Sequence, residues 1–205
     1  LAVDNIKGLL DNLDIELLKA RVSEKWNTYP ADVLPAWVAE MDFPLAAPIR
    51  RVLEESLERD DLGYPINPRA TGLPEVFAER MQERFDWTID YQMADVVTDV
   101  VQGMYVAIDR LSEPGDGVIV QTPIYPPFLS AVSETKRRLV ENRLVRGSDG
   151  FEIDFDALRA SIDTRTKLLM LCNPHNPSGR VLRRDELEAL ASIAIEHDLV
   201  VVADE

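Results

Sequence analysis

Cys172-Asn173-Pro174-His175-Asn176-Pro177-Ser178-Gly179 follows the apolar run Lys167–Cys172, and after a helical stretch the chain reaches Leu199-Val200-Val201-Val202-Ala203-Asp204-Glu205. The two prolines of the first segment fix their own φ and push each preceding asparagine towards an extended backbone. Gly179 permits a φ that other residues avoid. A plain turn needs one or two such residues; this density implies a rigid polar site at a strand end. In the second segment four aliphatics and an alanine run directly into two carboxylates. Keeping Asp204 charged there is costly unless it is paired, and a cationic ligand nitrogen is a suitable partner. An acid that merely ends the strand or caps a following helix is the plainer alternative.

Working outward, the rhythm alternates between strand and helix. Strands are expected at Val96–Thr98, Val118–Gln121, Arg138–Leu144, Lys167–Cys172 and Leu199–Ala203, with helices at Met104–Leu111, Phe128–Ser133, from a cap at Asp154 through Ile162, and at Arg184–His197. Pro114-Gly115-Asp116-Gly117 and Ser148-Asp149-Gly150 turn the chain. Further upstream, Ile49–Leu57 and Leu73–Phe85 have helical spacing, with Gly63, Pro65 and Pro68 between them. Residues 26–48 carry Pro30, Pro35, Pro44 and Pro48, which forbids a long helix and suggests an extended arm. Short apolar strands separated by amphipathic helices imply an α/β fold with a mostly parallel sheet and flanking helices. Ligands of such sheets sit beyond the carboxyl ends of the strands. Tyr125, the Asn173–Gly179 segment and Asp204 are therefore the residues to watch.

Composition narrows the partners. The 37 acids against 22 bases give a net charge of −15, which argues against nucleic acid because phosphate binding needs clustered Lys and Arg. The single cysteine, Cys172, excludes an intrachain disulfide. Residues 1–18 mix charges among apolar residues, unlike a signal peptide, and no apolar stretch reaches the length of a membrane span. The expected setting is cytoplasmic, with no membrane partner. Glycine-rich dinucleotide and Walker lysine motifs do not occur. His175 and Cys172 are read as structural, Asp42 as a turn residue, and His197 as a cation near a helix C-terminus.

The order Asn173-Pro174-x-Asn176-Pro177-Ser178-Gly179, helix, aliphatic strand, Asp204-Glu205 resembles the class I/II aminotransferases of fold type I, which depend on pyridoxal 5′-phosphate (PLP). Gly115-Asp116-Gly117-Val118-Ile119-Val120-Gln121-Thr122-Pro123-Ile124-Tyr125 resembles that family's strand leading to an aromatic residue that stacks on the cofactor. Trp37-Val38-Ala39-Glu40-Met41-Asp42-Phe43-Pro44 and Leu62-Gly63-Tyr64 resemble its cystathionine β-lyase-like branch. The resemblance runs from about Trp26 to the last residue. It implies a PLP-dependent transferase (aspartate aminotransferase-like) fold, truncated before its C-terminal half. Residues 1–48 would be an N-terminal arm and part of a small domain, and residues 49–205 the N-terminal part of the large PLP-binding domain.

The same resemblance implies roles. Asp204 would pair with the protonated pyridine nitrogen, Asn176 would hydrogen-bond the phenolic oxygen, and Tyr125 would stack on the ring. Val101 and Gln102, with Gly103, would offer backbone N–H groups to the phosphate at a helix N-terminus, although Val100 and Val101 replace the commoner small residues there. Tyr64 would reach the cofactor phosphate of the neighbouring subunit of a homodimer, and Trp37 would line the substrate pocket or pack in the arm. The implied activity is a carbon–sulfur β-lyase acting on small sulfur amino acids. A PLP-dependent aminotransferase and a non-catalytic truncated module are the alternatives. None of Lys7, Lys19, Lys25, Lys136 and Lys167 stands in the family's Schiff-base context, so the chain alone is expected to perform neither transamination nor β-elimination.

Overall fold

The structure, a computed structural model, describes residues 12–64, 67, 71–147 and 150–205. Lys7 and the rest of residues 1–11, Pro65, Pro68 and the Ser148-Asp149 part of the expected turn lie outside the described residues. The chain divides into two compact units, residues 1–67 and 68–205.

In the second unit four parallel strands form one sheet: β1 (Gly117–Thr122), β2 (Arg138–Arg143), β5 (Thr166–Cys172) and β6 (Val200–Asp204), in the order β2-β1-β5-β6. Between β2 and β5 a short antiparallel pair, β3 (Val145–Gly147) and β4 (Gly150–Glu152), stands apart from the sheet. Strand residues alternate between two faces, and each face has its own cover. Val118, Val120, Leu168 and Met170 pack under helices α5 (Val100–Leu111) and α6 (Pro126–Glu134), through Met104, Ile108, Phe128 and Val132. Ile119, Val140, Leu169 and Leu171 pack under α7 (Phe155–Ser161) and α8 (Arg184–Glu196), through Leu158, Leu190 and Ile193. The two inner strands, β1 and β5, are buried on both faces and read as aliphatic runs, whereas the outer strand β2 alternates and the outer strand β6, expected to be buried, leaves Val200 and Val201 exposed.

Local chemistry sets the helix ends. The Asp154 carboxylate accepts the Ala157 N–H at 2.9 Å and starts α7, as the sequence suggests. Asp99 caps α5 in the same way, through the Gln102 N–H at 2.8 Å. Helix α4 covers Leu73–Phe85, the range its spacing predicts. Two expectations differ from the structure. Val96–Thr98 has no ladder partner among the described residues and leads into α5 as irregular chain; β-propensity makes a strand only where a partner supplies hydrogen bonds. The expected strand Arg138–Leu144 ends at Arg143, because the Leu144 N–H turns back to the Thr122 carbonyl at 2.8 Å and sends the chain into β3.

In the first unit, α1 (Ile15–Lys19) and α2 (Glu24–Asn27) precede residues 28–46, which form no helix or strand, and α3 (Ala47–Glu58) follows. Asp42 is more than a turn residue. Its carboxylate accepts the Lys25 ammonium at 2.6 Å and the Trp26 indole N–H at 2.8 Å. Arg21 donates to the Asp42 carbonyl at 2.9 Å, and Lys25 also donates to the Glu40 carbonyl at 2.9 Å. These bonds tie the proline-rich arm to α2. The Lys25 hydrogen bond holds the Asp42 carboxyl below its ordinary range, against a smaller opposing effect of burial.

Two outcomes follow from this packing. Ile193 is 0% exposed and Ile195 82% on the same helix. Ile193→Ala is expected to cost about 2–5 kcal/mol in denaturant unfolding, and Ile195→Ala no more than about 0.5 kcal/mol; equal costs would contradict the layer assignment. Because the folded pKa of Asp42 is depressed, the stability from its ion pair is present above the unfolded carboxyl pKa and is lost as pH falls through the folded value. An NMR titration of the Asp42 carboxyl carbon should show a midpoint below that of a free aspartate, and Lys25→Met should move it upward.

Candidate functional site

The carboxyl ends of β1, β5 and β6 are adjacent, and each strand delivers one of the residues singled out in the sequence. β6 ends at Asp204, paired in register with Cys172 of β5, and the Asn173 N–H donates to the Asp204 carbonyl at 3.0 Å. The turn that follows β5 meets the segment that follows β1, where the Tyr125 N–H donates to the Asn176 carbonyl at 3.1 Å. Tyr125, Asn176 and Asp204 thus stand together at one sheet edge. Asp204 has the same strand parity as Val202, which packs with Val101 of α5 on the α5/α6 face, so the first turn of α5 belongs to this edge as well.

Each turn of the Asn173–Gly179 segment is tied down. The Asn173 side-chain oxygen accepts the Leu182 N–H at 2.9 Å. The His175 N–H donates to the Arg180 carbonyl at 2.7 Å, and the Gly179 N–H to the His175 carbonyl at 2.6 Å. Gly179 has φ +69°, the left-handed region that favours glycine. Arg180 anchors the far side to Glu186, a buried residue at the start of α8, at 2.7 Å. The Asn176 N–H donates to Cys172 Sγ at 3.4 Å. The two asparagines therefore differ in use. Asn173 is structural, while the Asn176 side chain is exposed and makes no hydrogen bond among the described residues.

The electrostatics agree with this division. Partial burial raises the Asp204 carboxyl above its ordinary pKa, and among the described residues the carboxylate has neither an ion-pair nor a hydrogen-bond partner. A half-buried acid without a cation is the state that a ligand N–H would relieve. Cys172 is buried, and burial pushes its thiol pKa up, with Asp204 adding to the shift against the Asn176 N–H. It is a packing residue, not an activated nucleophile. His197 is the C-cap of α8.

At the start of α5 the structure qualifies the expected phosphate cradle. The Gln102 N–H is already committed to the Asp99 carboxylate at 2.8 Å, and the Gln102 side-chain oxygen accepts the Thr98 N–H at 2.8 Å. An N-cap aspartate competes with any anion for this helix end. Val101 keeps an N–H with no partner among the described residues. Trp37 and Tyr64 belong to the first unit. Trp37 packs edge-on against Tyr29, with ring centroids 5.6 Å apart, and Tyr64 is fully exposed. Lys167 lies at the opposite end of β5 from this edge, and Lys136 in the turn before β2. A cavity of about 410 Å³ between α4 and residues 94–97 holds none of the edge residues. Among the described residues there is no cluster of three or more His, Cys, Asp or Glu suited to a metal, and no helix is long and apolar enough to cross a membrane.

Comparison with known proteins adds to this geometry. Residues 33–205 match the family model described as aminotransferase class I and II. The chain is 37% identical to a putative cystathionine beta-lyase of Mycobacterium leprae, over 96% of this chain and 50% of that protein. A PLP-bound putative aminotransferase from Clostridium difficile superposes with a TM-score of 0.82 at 32% identity, covering 90% of this chain and 48% of the other. Cystalysin from Treponema denticola, whose crystal structure contains pyridoxal 5′-phosphate, superposes with a TM-score of 0.79 at 31% identity over 90% of this chain and 48% of its own. The chain spans about half the length of the curated relatives it matches.

The unpartnered acid predicts a stability effect without any ligand. Its folded pKa is raised, so the folded state binds the proton more tightly than the unfolded state, and stability falls as pH rises between the two values. Asp204→Asn should raise the thermal midpoint of the cofactor-free protein at neutral pH. The gain should vanish in acid, where the native carboxyl is itself protonated. A midpoint lowered at neutral pH would mean that Asp204 already has a cationic partner.

Proposed function

The chain belongs to the class I and II aminotransferase family, fold type I, and on that premise we propose that the full-length protein is a PLP-dependent carbon–sulfur β-lyase of the cystathionine β-lyase-like branch, acting on small sulfur amino acids. The observation that supports the reading is the Asp204 carboxylate, raised in pKa by burial and without a partner among the described residues, at the strand edge where the backbones of Asn176 and Tyr125 also meet. These groups fit the cofactor. An acid suits a protonated ring nitrogen, an amide N–H suits a phenolic oxygen, and an aromatic face suits a planar ring. When bound, pyridoxal phosphate supplies a cationic ring that stores the electron pair left at Cα when a proton departs.

The chain's own residues hold that arrangement. Asp204 would keep the proton on the ring nitrogen. Asn176, whose backbone the Tyr125 N–H fixes, would hydrogen-bond the phenolic oxygen. Tyr125 would stack on the ring. Val101, at the first turn of α5, offers its N–H to the phosphate, and Gln102 joins it only if Asp99 releases its N–H. Tyr64 serves the phosphate of the neighbouring subunit in a homodimer, and Trp37 borders the substrate. The lysine that moves protons at Cα and the arginine that clamps the substrate carboxylate are contributions of the full-length protein outside this chain.

A second reading, an aminotransferase, is favoured by the similarity to the Clostridium difficile protein. Both share this half of the site and differ in what happens at Cβ. The test is to incubate the full-length protein with L-cystathionine. Release of pyruvate, ammonia and a thiol supports the lyase. Keto-acid formation that depends on an added 2-oxo acid supports the aminotransferase. Absence of both, with no cofactor absorbance, defeats the whole assignment. Asp204→Ala should lower kcat/KM by about 10²–10³-fold or more, the scale of losing one fixed electrostatic partner of the developing charge, while Asp99→Ala should leave cofactor affinity equal or tighter.

A further inference from the structure

A small, partly open cavity with about 10 Å³ of free space lies beside the Asn173–Gly179 turn, lined by Gln121, Leu144, Ile153, His175 and Leu182 among others. That space is close to one water molecule. Gln121 shares its strand parity with Ile119, so the cavity opens on the α7/α8 face, where Leu144, Ile153 and Leu182 pack. Cys172, the register partner of Asp204, also lines it, at the end of β5.

Two buried side chains face into this apolar surround with polar atoms that lack a partner among the described residues: Gln121 Nε2 and His175 Nε2. Gln121 is 3% exposed and His175 5%. A third such atom, Asn142 Oδ1, belongs to the residue paired in register with Gln121 on β2. Packing alone would be served by apolar side chains of similar size, because a buried amide or imidazole loses its hydration unless a hydrogen bond replaces it. His175 Nδ1 is already engaged with Ser178 Oγ at 2.8 Å. Burial disfavours a charged imidazole, with the Gln121 carbonyl acting in the opposite sense. The charged groups nearby, Arg180 and Glu186, are paired with each other at 2.7 Å.

We infer that Gln121 and His175 bind one ordered water in this cavity, and that the bridge makes His175 a positioning residue for Asn176. The water accepts an N–H from the Gln121 amide and donates to His175 Nε2. His175 then carries its own proton on Nδ1, towards Ser178. His175 is joined directly to Asn176, and its backbone makes both the Arg180 and the Gly179 bonds of the turn. Fixing the imidazole therefore fixes the His175–Asn176 peptide, one residue before the Asn176 carbonyl that receives the Tyr125 N–H. The positioning half of the inference rests on the cofactor reading above; the water does not.

The test uses the full-length protein. High-resolution crystals, with and without cofactor, should show one solvent peak within hydrogen-bond distance of the Gln121 amide and His175 Nε2, and Gln121→Met should remove it. A cavity empty of solvent, or closed by protein atoms, overturns the water. In the holoprotein, His175→Leu should shift the pH midpoint of the cofactor absorbance by about one unit, roughly tenfold in the ionisation constant, and His175→Gln should restore most of it. Gln121→Met should give a smaller shift of the same sign, which decides the matter where His175→Leu fails to fold. An unchanged midpoint in folded variants overturns the positioning role. If Asn176→Ala also leaves the midpoint unchanged, the cofactor reading has failed, and the solvent peak still decides the water.

Discussion

Parallel pairing of β5 with β6 fixes the functional edge. Cys172 and Asp204 are register partners, and the Asn173 N–H reaches the Asp204 carbonyl at the next step. Side chains alternate along a strand, so a slip of one residue would turn Asp204 to the opposite face and away from α5. Val202, partly buried against the α5/α6 core, opposes that slip, while Val200 and Val201 remain exposed and pair with Leu168 and Leu169. The apolar core thus decides where a single carboxylate points.

The turn after β5 converts that register into a rigid site. It has two asparagines with opposite uses, and hydrogen bonding shows which is which. Asn173 closes the turn onto Leu182, while Asn176 is held only through its backbone, by Tyr125 from one side and Cys172 from the other. A side chain whose backbone is fixed and whose amide is uncommitted is prepared for a ligand, with little further ordering to be lost on binding. The buried Arg180–Glu186 pair supports the same end from α8. Removing Arg180 would leave the buried Glu186 with Arg183 alone, whose N–H it accepts at 2.9 Å and whose guanidinium lies 3.4 Å away.

The sheet strands and the edge residues were legible in the sequence for a simple reason. A parallel sheet covered on both faces writes itself as aliphatic runs, and its ligand residues come directly after them. That logic found β1 and β5 and put Tyr125, Asn176 and Asp204 at strand ends; β6 is a strand as expected but an exposed one, because no helix covers Val200 and Val201 among the described residues. It failed at Val96–Thr98, where propensity exists without a partner strand, and at Leu144, where a bond back to Thr122 ends β2. Asp42 and Gln121 were also illegible. The partners of Asp42, Lys25 and Trp26, lie 17 and 16 residues upstream, with no periodicity to link them. Gln121 looks like the polar end of a strand until the register sets it beside Asn142 and the fold closes Leu144 and Ile153 over it. Contacts between distant polar residues leave no local pattern. The committed N–H of Gln102 was hidden for the opposite reason: Asp99 is an obvious helix cap, but only geometry shows that it takes a donor assigned to phosphate.

The exposed position of the site at the end of β6 carries an energetic consequence. Asp204 ends an outer strand whose other residues are exposed or half-buried, yet its own carboxyl is partly desolvated, and nothing among the described residues compensates its charge. The folded protein is therefore less stable with Asp204 ionised than with a neutral isostere. The same deficit is available to a cationic ring, whose binding restores the lost interaction. A salt bridge built into the chain would have removed the deficit and with it the electrostatic reason for the ring to bind there. The structure instead pairs Arg180 with Glu186 and Arg138 with Asp163, and Asp204 has no ion pair among the described residues. Satisfied polar contacts around an unsatisfied one are what a binding edge requires. The surrounding bonds hold the geometry, and the missing bond selects the ligand.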